Sequence, residues 1–192
     1  LKPPPRAFAG RVMVVTGAAG GIGRVLALRL GELGASLVLA DLDAAGLDEV
    51  VAQLRDEHHV DAIAVAGDQT NPEIASATIA RSIEAFGGVD GVVFNAGIAV
   101  AGRLDELAPS DWDKALSVNL TSAFLLTAAS MKLLIDQGMG GSLVYMASKN
   151  AFAPGEGFGA YSVTKAGLIQ MMRIAAIEGG SHGIRSNALN PD

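Results

Sequence analysis

Tyr161 and Lys165 stand four residues apart in the run Tyr161-Ser162-Val163-Thr164-Lys165. On a helix that spacing puts both side chains on one face, one turn apart. A tyrosine hydroxyl, with an ordinary pKa of about 10, is a poor base at neutral pH, and an ammonium held beside it favours the phenolate. Lowering such a group by about three units takes roughly 4 kcal/mol of differential stabilisation, within reach of one close cation assisted by a second positive charge. The pair is a candidate for moving a proton to or from a substrate hydroxyl. The same spacing is also common for surface neighbours, so its meaning depends on the elements that position it.

The first such element is Thr16-Gly17-Ala18-Ala19-Gly20-Gly21-Ile22-Gly23. It follows the apolar run Val12-Met13-Val14-Val15, which reads as a buried parallel strand, and precedes a helix over 22–33 with Ile22, Val25, Leu26, Leu30 and Leu33 at helical spacing. Strand, glycine turn and helix form the setting of a dinucleotide fingerprint, in which backbone N–H groups approach a pyrophosphate at the helix N-terminus. The glycines depart from G-x-G-x-x-G, with Gly17, Gly21 and Gly23 spaced four and two apart. A tight turn without ligand is the plain alternative.

Asp41 closes the next apolar run, Leu37-Val38-Leu39-Ala40, about 20 positions beyond the glycine turn, where an acidic residue holds the adenosine ribose in such folds. Its charge repels a 2′-phosphate, and neither Leu42 nor the glycine turn offers a base, which favours NAD over NADP. Asp41 also competes as the N-cap of a helix over 44–55, although Asp43 can serve instead. Strands are expected at 11–15, 36–40, 61–66, 91–94, 142–146 and 184–188, with helices between them, the longest over 111–137. Such alternation predicts a Rossmann-like, doubly wound α/β domain whose parallel sheet is covered on both faces and binds ligand at the strands' carboxyl ends.

These residues resemble the short-chain dehydrogenase/reductase family. Its Thr-Gly-x-x-x-Gly-x-Gly motif is matched by Thr16, Gly17, Gly21 and Gly23, and its Asn-Ala-Gly motif by Asn95, Ala96 and Gly97. Its helix asparagine falls on Asn119, and its catalytic serine, thirteen residues before the tyrosine, on Ser148. The resemblance runs from about Gly10 to Asp192. It implies a cofactor site that includes Gly17, Gly21, Ile22, Gly23, Asp41, Asp68, Asn95, Ala96, Gly97, Tyr161 and Lys165. It implies Tyr161 as acid or base during hydride exchange with a nicotinamide, Lys165 as the cation beside it, and Ser148 as donor to the carbonyl oxygen. Asn119 would position a water linking Lys165 to solvent. Read as residues alone, Ser148 also fits a turn or cap, Asn119 a satisfied buried amide, and Asp68 a helix cap. The family commonly pairs the helices carrying Asn119 and Tyr161 with those of a second subunit, so a homodimer or homotetramer is implied.

Composition narrows the class. Half of the 192 residues are hydrophobic, 18% are charged, and Gly counts 24, as in a glycine-turned α/β interior. The net charge of −6 argues against nucleic acid or an anionic membrane as partner. Apolar runs read as too short to span a bilayer, no signal peptide is evident, and a cytoplasmic location is expected. The absence of cysteine removes disulfides and thiolate chemistry. His58, His59 and His182 lack a surrounding ligand pattern, so no metal is expected.

The ends of the sequence carry a further resemblance. Pro3-Pro4-Pro5 within residues 1–9 reads as a stiff linker or domain edge ahead of a domain over 10–192. Family members usually continue past Asn190-Pro191 with glycine, a substrate loop, a lid helix and a seventh strand; here Asp192 stands in the glycine's place. That departure, with Phe94 before the Asn-Ala-Gly motif and Lys149-Asn150 after Ser148, resembles the carboxy-terminal domain of bifunctional aldolase/short-chain dehydrogenases. This implies a small hydroxy-aldehyde such as lactaldehyde as substrate and an upstream aldolase domain. A generic sugar, polyol or ketone dehydrogenase is the alternative, with a non-catalytic NAD-binding module behind it.

Overall fold

Val14 packs on one side of a parallel sheet while Met13 and Val15 pack on the other. Side chains alternate along a strand, so a strand buried on both faces must read as a continuous apolar run. The computed structural model describes residues 6–192, and Pro3-Pro4-Pro5 lies outside them. Among the described residues there are six strands: β1 Val12–Thr16, β2 Ser36–Asp41, β3 Ala62–Ala66, β4 Gly91–Phe94, β5 Gly141–Met146 and β6 Ile184–Leu189. They form one parallel sheet in the order β3-β2-β1-β4-β5-β6. The order reverses direction between β1 and β4, opening a crevice at their carboxyl ends. This is the expected Rossmann-like α/β architecture.

Helices α1 (Gly21–Glu32) and α2 (Ala44–Gln53) cover one face of β1 to β3, burying Ala27, Leu30, Leu47 and Val50 against Met13, Val15, Leu37 and Leu39. Helices α3 (Pro72–Phe86), α5 (Ser122–Gln137) and α6 (Gly159–Gly179) cover the other face around Val14, Val38, Val92, Leu126, Leu143 and Leu168. On the α1 side of the sheet the outer residues of β6, Arg185, Asn187 and Leu189, are exposed. Phe8 folds back onto the end of α1, its N–H donating to Leu33 O at 2.9 Å.

Two sequence expectations need correction. Of the apolar stripe read on α1, Leu30 is buried and Leu26 packs against the core, but Ile22 and Val25 are 54% and 68% exposed. The buried stripe is Gly23, Ala27, Leu30 and Gly31, because small residues let the helix backbone lie close to the glycine turn and to Leu54. The apolar runs are also not all short. Short helix α4 (Pro109–Leu116), a π-helical turn over Ser117–Thr121 and α5 join into one helical stretch, Pro109–Gln137, long and apolar enough by length and composition to cross a membrane. Its hydropathy has a local cause: α5 is wedged between α3 and α6 and contributes Ala123, Leu126 and Leu134 to the core.

Candidate active site

Thr16 and Asn95 join the two loops that flank the crevice. The N–H groups of Asn95 and Ala96 donate to Thr16 Oγ1 at 3.0 and 3.1 Å, and Asn95 Nδ2 donates to the carbonyls of Thr16 and Gly17 at 3.0 and 3.1 Å. Gly17 sits at φ +65°, and a Cβ there would lie 2.9 Å from Asn95 Nδ2 and 3.0 Å from Ala96 Cα. A Cβ at Gly23 would lie 1.9 Å from Gly17 O, so the first turn of α1 packs against the loop only as glycine. Asn95 is therefore a clamp between loops as well as a cavity residue. The Thr-Gly pair opening the glycine motif was the available signal for Thr16, whose hydroxyl the sequence reading did not single out.

A cavity of about 880 Å³ lies over this loop, lined by Gly17, Gly21, Ile22, Asp41, Asp68 and the Asn95-Ala96-Gly97 run, among others. The N-terminus of α1 opens into it with no side chain capping it and no acid in its first turn. Uncapped N–H groups at a helix start, with the dipole behind them, suit an anion. A Cβ at Gly20 or Gly21 would meet nothing within 4 Å, so the glycines leave room where a pyrophosphate would approach. Asp41 ends β2, its carboxylate accepting from Ala19 N at 3.0 Å and Asp43 N at 3.2 Å. Asp43 caps α2 through Gly46 N at 3.0 Å, which settles that competition and leaves Asp41 on the cavity. Asp68 does not cap α3 either; it closes a local turn through Thr70 N at 2.9 Å, and Asn71 is the cap. The residues present thus fit a dinucleotide.

A second cavity, of about 490 Å³, shares Ile22, Asn95, Gly97 and Ile98 with the first and is lined by Ser148, Tyr161 and Lys165. Lys165 is 5% exposed, and its Nζ donates to Met146 O at 2.7 Å and lies 5.4 Å from the Tyr161 ring centroid. Burial pushes its pKa down to about 8. Ser148 is buried at the end of β5, where its Oγ accepts from Asn150 N at 3.2 Å and caps a 3₁₀ turn over Lys149–Ala151. The serine is a cap and a cavity residue at once, because the bond from Asn150 leaves its O–H free to donate. Phe158 stands edge-on to Tyr161, with ring centroids 6.3 Å apart.

Asn119, on the π-helical turn, is 1% exposed. Its Oδ1 accepts from Ile98 N at 2.7 Å, and its Nδ2 donates to Ile98 O at 2.9 Å and Thr164 Oγ1 at 3.1 Å. The amide is therefore satisfied by protein, and it fixes the strip that follows Gly97. A Cβ at Gly97 would lie 3.1 Å from Asn119 Oδ1 and 3.5 Å from Lys165 Nζ, so these groups converge on a gap left by the glycine. The other tyrosine, Tyr145, is fully buried in β5, stacked on Phe94 at 4.3 Å and bonded to Thr127 Oγ1 at 2.8 Å. Burial pushes it up to about 12, and it takes no part in the site.

Residues 11–192 match the family model described as short chain dehydrogenase. The chain is 36% identical over 193 residues to "Uncharacterized oxidoreductase YuxG" of Bacillus subtilis, covering 100% of this chain and 28% of that protein. It is 36% identical over 185 residues to D-threitol dehydrogenase of Mycolicibacterium smegmatis, covering 95% of this chain and 69% of the relative. Among solved structures, an NAD+-bound xylitol dehydrogenase superposes with a TM-score of 0.92 at 31% identity, covering 96% of this chain and 71% of that one. The chain thus spans between about a quarter and seven-tenths of the length of these proteins. By motif, fold and near-complete coverage, the chain belongs to the short chain dehydrogenase family.

Proposed function

We propose that this chain carries the active site of an NAD(H)-dependent oxidoreductase that interconverts a small, neutral, hydroxylated alcohol and its carbonyl. The observation that carries the reading is the meeting of Ser148, Tyr161 and Lys165 on one cavity that opens, past Ile22 and Gly97, into the cavity over the glycine turn. A nicotinamide bound there supplies the hydride acceptor or donor. Tyr161 Oη takes the hydroxyl proton of the alcohol, or returns it to the carbonyl oxygen. Ser148, its oxygen already engaged by Asn150 N, turns its O–H toward the same oxygen and stabilises developing alkoxide charge. Lys165, held by Met146 O, places an ammonium beside Tyr161 and favours its ionised form. Asn119 holds Ile98 and lies with Lys165 around the gap at Gly97, which suits a water leading a proton away from the site. Asp41 is the reader of the ribose and the ground for preferring NAD over NADP.

Names of relatives support a polyol or sugar alcohol: threitol for one, xylitol for another. Lactaldehyde, a three-carbon member of the same chemistry, is the narrower substrate in this reading. The match to little more than a quarter of the Bacillus subtilis relative is compatible with an upstream domain such as an aldolase. Self-association is also part of the proposal, supported by exposed apolar side chains along α5 and α6: Phe124, Val163, Ile174 and Ile177.

A 340 nm assay with NAD(H) and NADP(H) against threitol, xylitol and lactaldehyde tests this. Turnover with NAD(H), abolished in Tyr161→Phe while NADH binding persists, is the expected result. Silence on all three with cofactor bound overturns the substrate class, and robust turnover by Tyr161→Phe overturns the acid–base assignment.

A further inference from the structure

Asn150 stands two residues beyond Ser148, and the reaction above makes no use of its side chain. The residue is tied down at both ends. Its N–H donates to Ser148 Oγ at 3.2 Å, and its Oδ1 accepts from Gly155 N at 3.1 Å, bracing the loop between β5 and α6. The second bond fixes which way the carboxamide faces, because an N–H needs the amide oxygen and cannot bond to the NH2 group. Nδ2 is thereby committed as a donor, and it meets no acceptor among the described residues. Asn150 lines the cavity that holds Ser148 and Tyr161. Among the neutral polar side chains described there, Ser148 and Tyr161 serve the reacting oxygen, and Asn95 spends its NH2 group on the carbonyls of Thr16 and Gly17. Asn150 is left with a donor for another part of a substrate.

We infer that Asn150 Nδ2 donates to the oxygen on the carbon next to the reacting one, so that the site selects substrates with a hydroxyl or carbonyl beside the reacting group. This rests on the alcohol/carbonyl oxidoreductase reading above and names the substrate feature that accompanies the reacting carbon. Covalent geometry holds Nδ2 within about 5 Å of its own backbone N, and so within about 8 Å of Ser148 Oγ. Two oxygens on adjacent carbons, each hydrogen-bonded on its outer side, span up to about 8 Å between their donors. One oxygen can therefore rest on Ser148 while its neighbour rests on Asn150. The bond from Asn150 N to Ser148 Oγ keeps the two donors in a fixed relation, as recognition of adjacent oxygens requires.

The test uses three ketones on one four-carbon chain: butan-2-one, with no neighbouring oxygen, 3-hydroxybutan-2-one, with a hydroxyl, and butane-2,3-dione, with a carbonyl. Initial kcat/KM with NADH is measured on the wild type, Asn150→Ala and Asn150→Asp. Each value is taken relative to butan-2-one, so that general effects of a substitution cancel. Asn150→Asp decides between a reader of substrate and a mere brace of the loop. Its carboxylate still accepts from Gly155 N and from a substrate hydroxyl, but has no proton to give a carbonyl. It should lower the dione ratio about three- to tenfold and leave the hydroxyketone ratio within about twofold, whereas Asn150→Ala should lower both about three- to tenfold. Ratios that Asn150→Asp leaves unchanged, or lowers equally, overturn the inference. Affinities for the NADH complex are read in a Tyr161→Phe background by the fluorescence of the bound cofactor, which needs no turnover. If the wild type reduces none of the three, the oxidoreductase reading falls for such substrates. The same pattern in the affinities then still supports the donor, and affinities indifferent to both substitutions overturn it.

Discussion

Asn119 and Thr164 lie on separate helical segments and share a buried hydrogen bond, Nδ2 to Oγ1 at 3.1 Å. Thr164 passes the contact on by donating to the Tyr161 carbonyl at 2.7 Å, and it is wholly buried. The bond ties the turn that clamps Ile98 to the first turns of the helix that carries Tyr161 and Lys165. Thr164→Val keeps the shape and removes the hydroxyl, leaving one Asn119 N–H without an acceptor. The expected loss is about 1–2 kcal/mol of stability by urea unfolding, restored by Thr164→Ser.

The glycine turn separates a steric requirement from an open position. Gly23→Ala would force a methyl group to within 1.9 Å of the Gly17 carbonyl, so the loop or the helix must move. It should cost about 1–3 kcal/mol and weaken NADH binding at least several-fold. Gly20→Ala meets nothing within 4 Å, and its effect on the stability of the ligand-free protein should stay within about 0.5 kcal/mol. Equal losses from the two substitutions would contradict this account of the turn.

Asp41 has two tasks that one substitution can divide. Its carboxylate holds Ala19 N and Asp43 N while lining the larger cavity. Asp41→Ala removes the charge that opposes a 2′-phosphate and should raise the NADP/NAD ratio of kcat/KM by about tenfold or more, with a stability loss of about 1 kcal/mol from the freed N–H groups. Unchanged selectivity would show that another residue reads the ribose.

Lys165 makes stability depend on pH. Its folded value, pushed down by burial to about 8, lies below the ordinary 10.5, so between those values the unfolded chain binds more protons than the native one. Stability must then rise with pH across that window and be lost again as pH falls through 8, with a slope approaching about 1.4 kcal/mol per pH unit and a total of order 2–3 kcal/mol. Tyr145, held up to about 12, acts in the opposite sense above pH 10, so the clean range is pH 8 to 10. Urea unfolding of the cofactor-free protein across that range should show the rise, and Lys165→Met should flatten it.

Much of this site was legible because its signals are local. A strand buried on both faces must be a short apolar run, and Met13-Val14-Val15 and Leu37-Val38-Leu39-Ala40 are such runs. The Gly17-to-Gly23 spacing and the Tyr161-to-Lys165 spacing are consequences of turn geometry and helical period, so residue order alone placed a fingerprint after β1 and a paired face on α6. The alternation of these elements then specified the class of sheet.

Tertiary packing decided what local order does not contain. Asn119 and Thr164 are 45 positions apart, and no periodicity says that they share a hydrogen bond. The buried face of α1 came out as Gly23, Ala27, Leu30 and Gly31 because close approach to the loop selects small residues, which hydrophobic spacing ignores. The hydropathy of Pro109–Gln137 acquired its cause only when α3 and α6 were seen on either side of α5. Lys149 N meets Pro191 O because the parallel ladder of β5 and β6 runs on past the Met146–Leu189 pair that ends both strands. Residue order determined which groups the protein has for chemistry; the relative placement of elements distant in sequence decided which of them meet, since that depends on which faces are buried together.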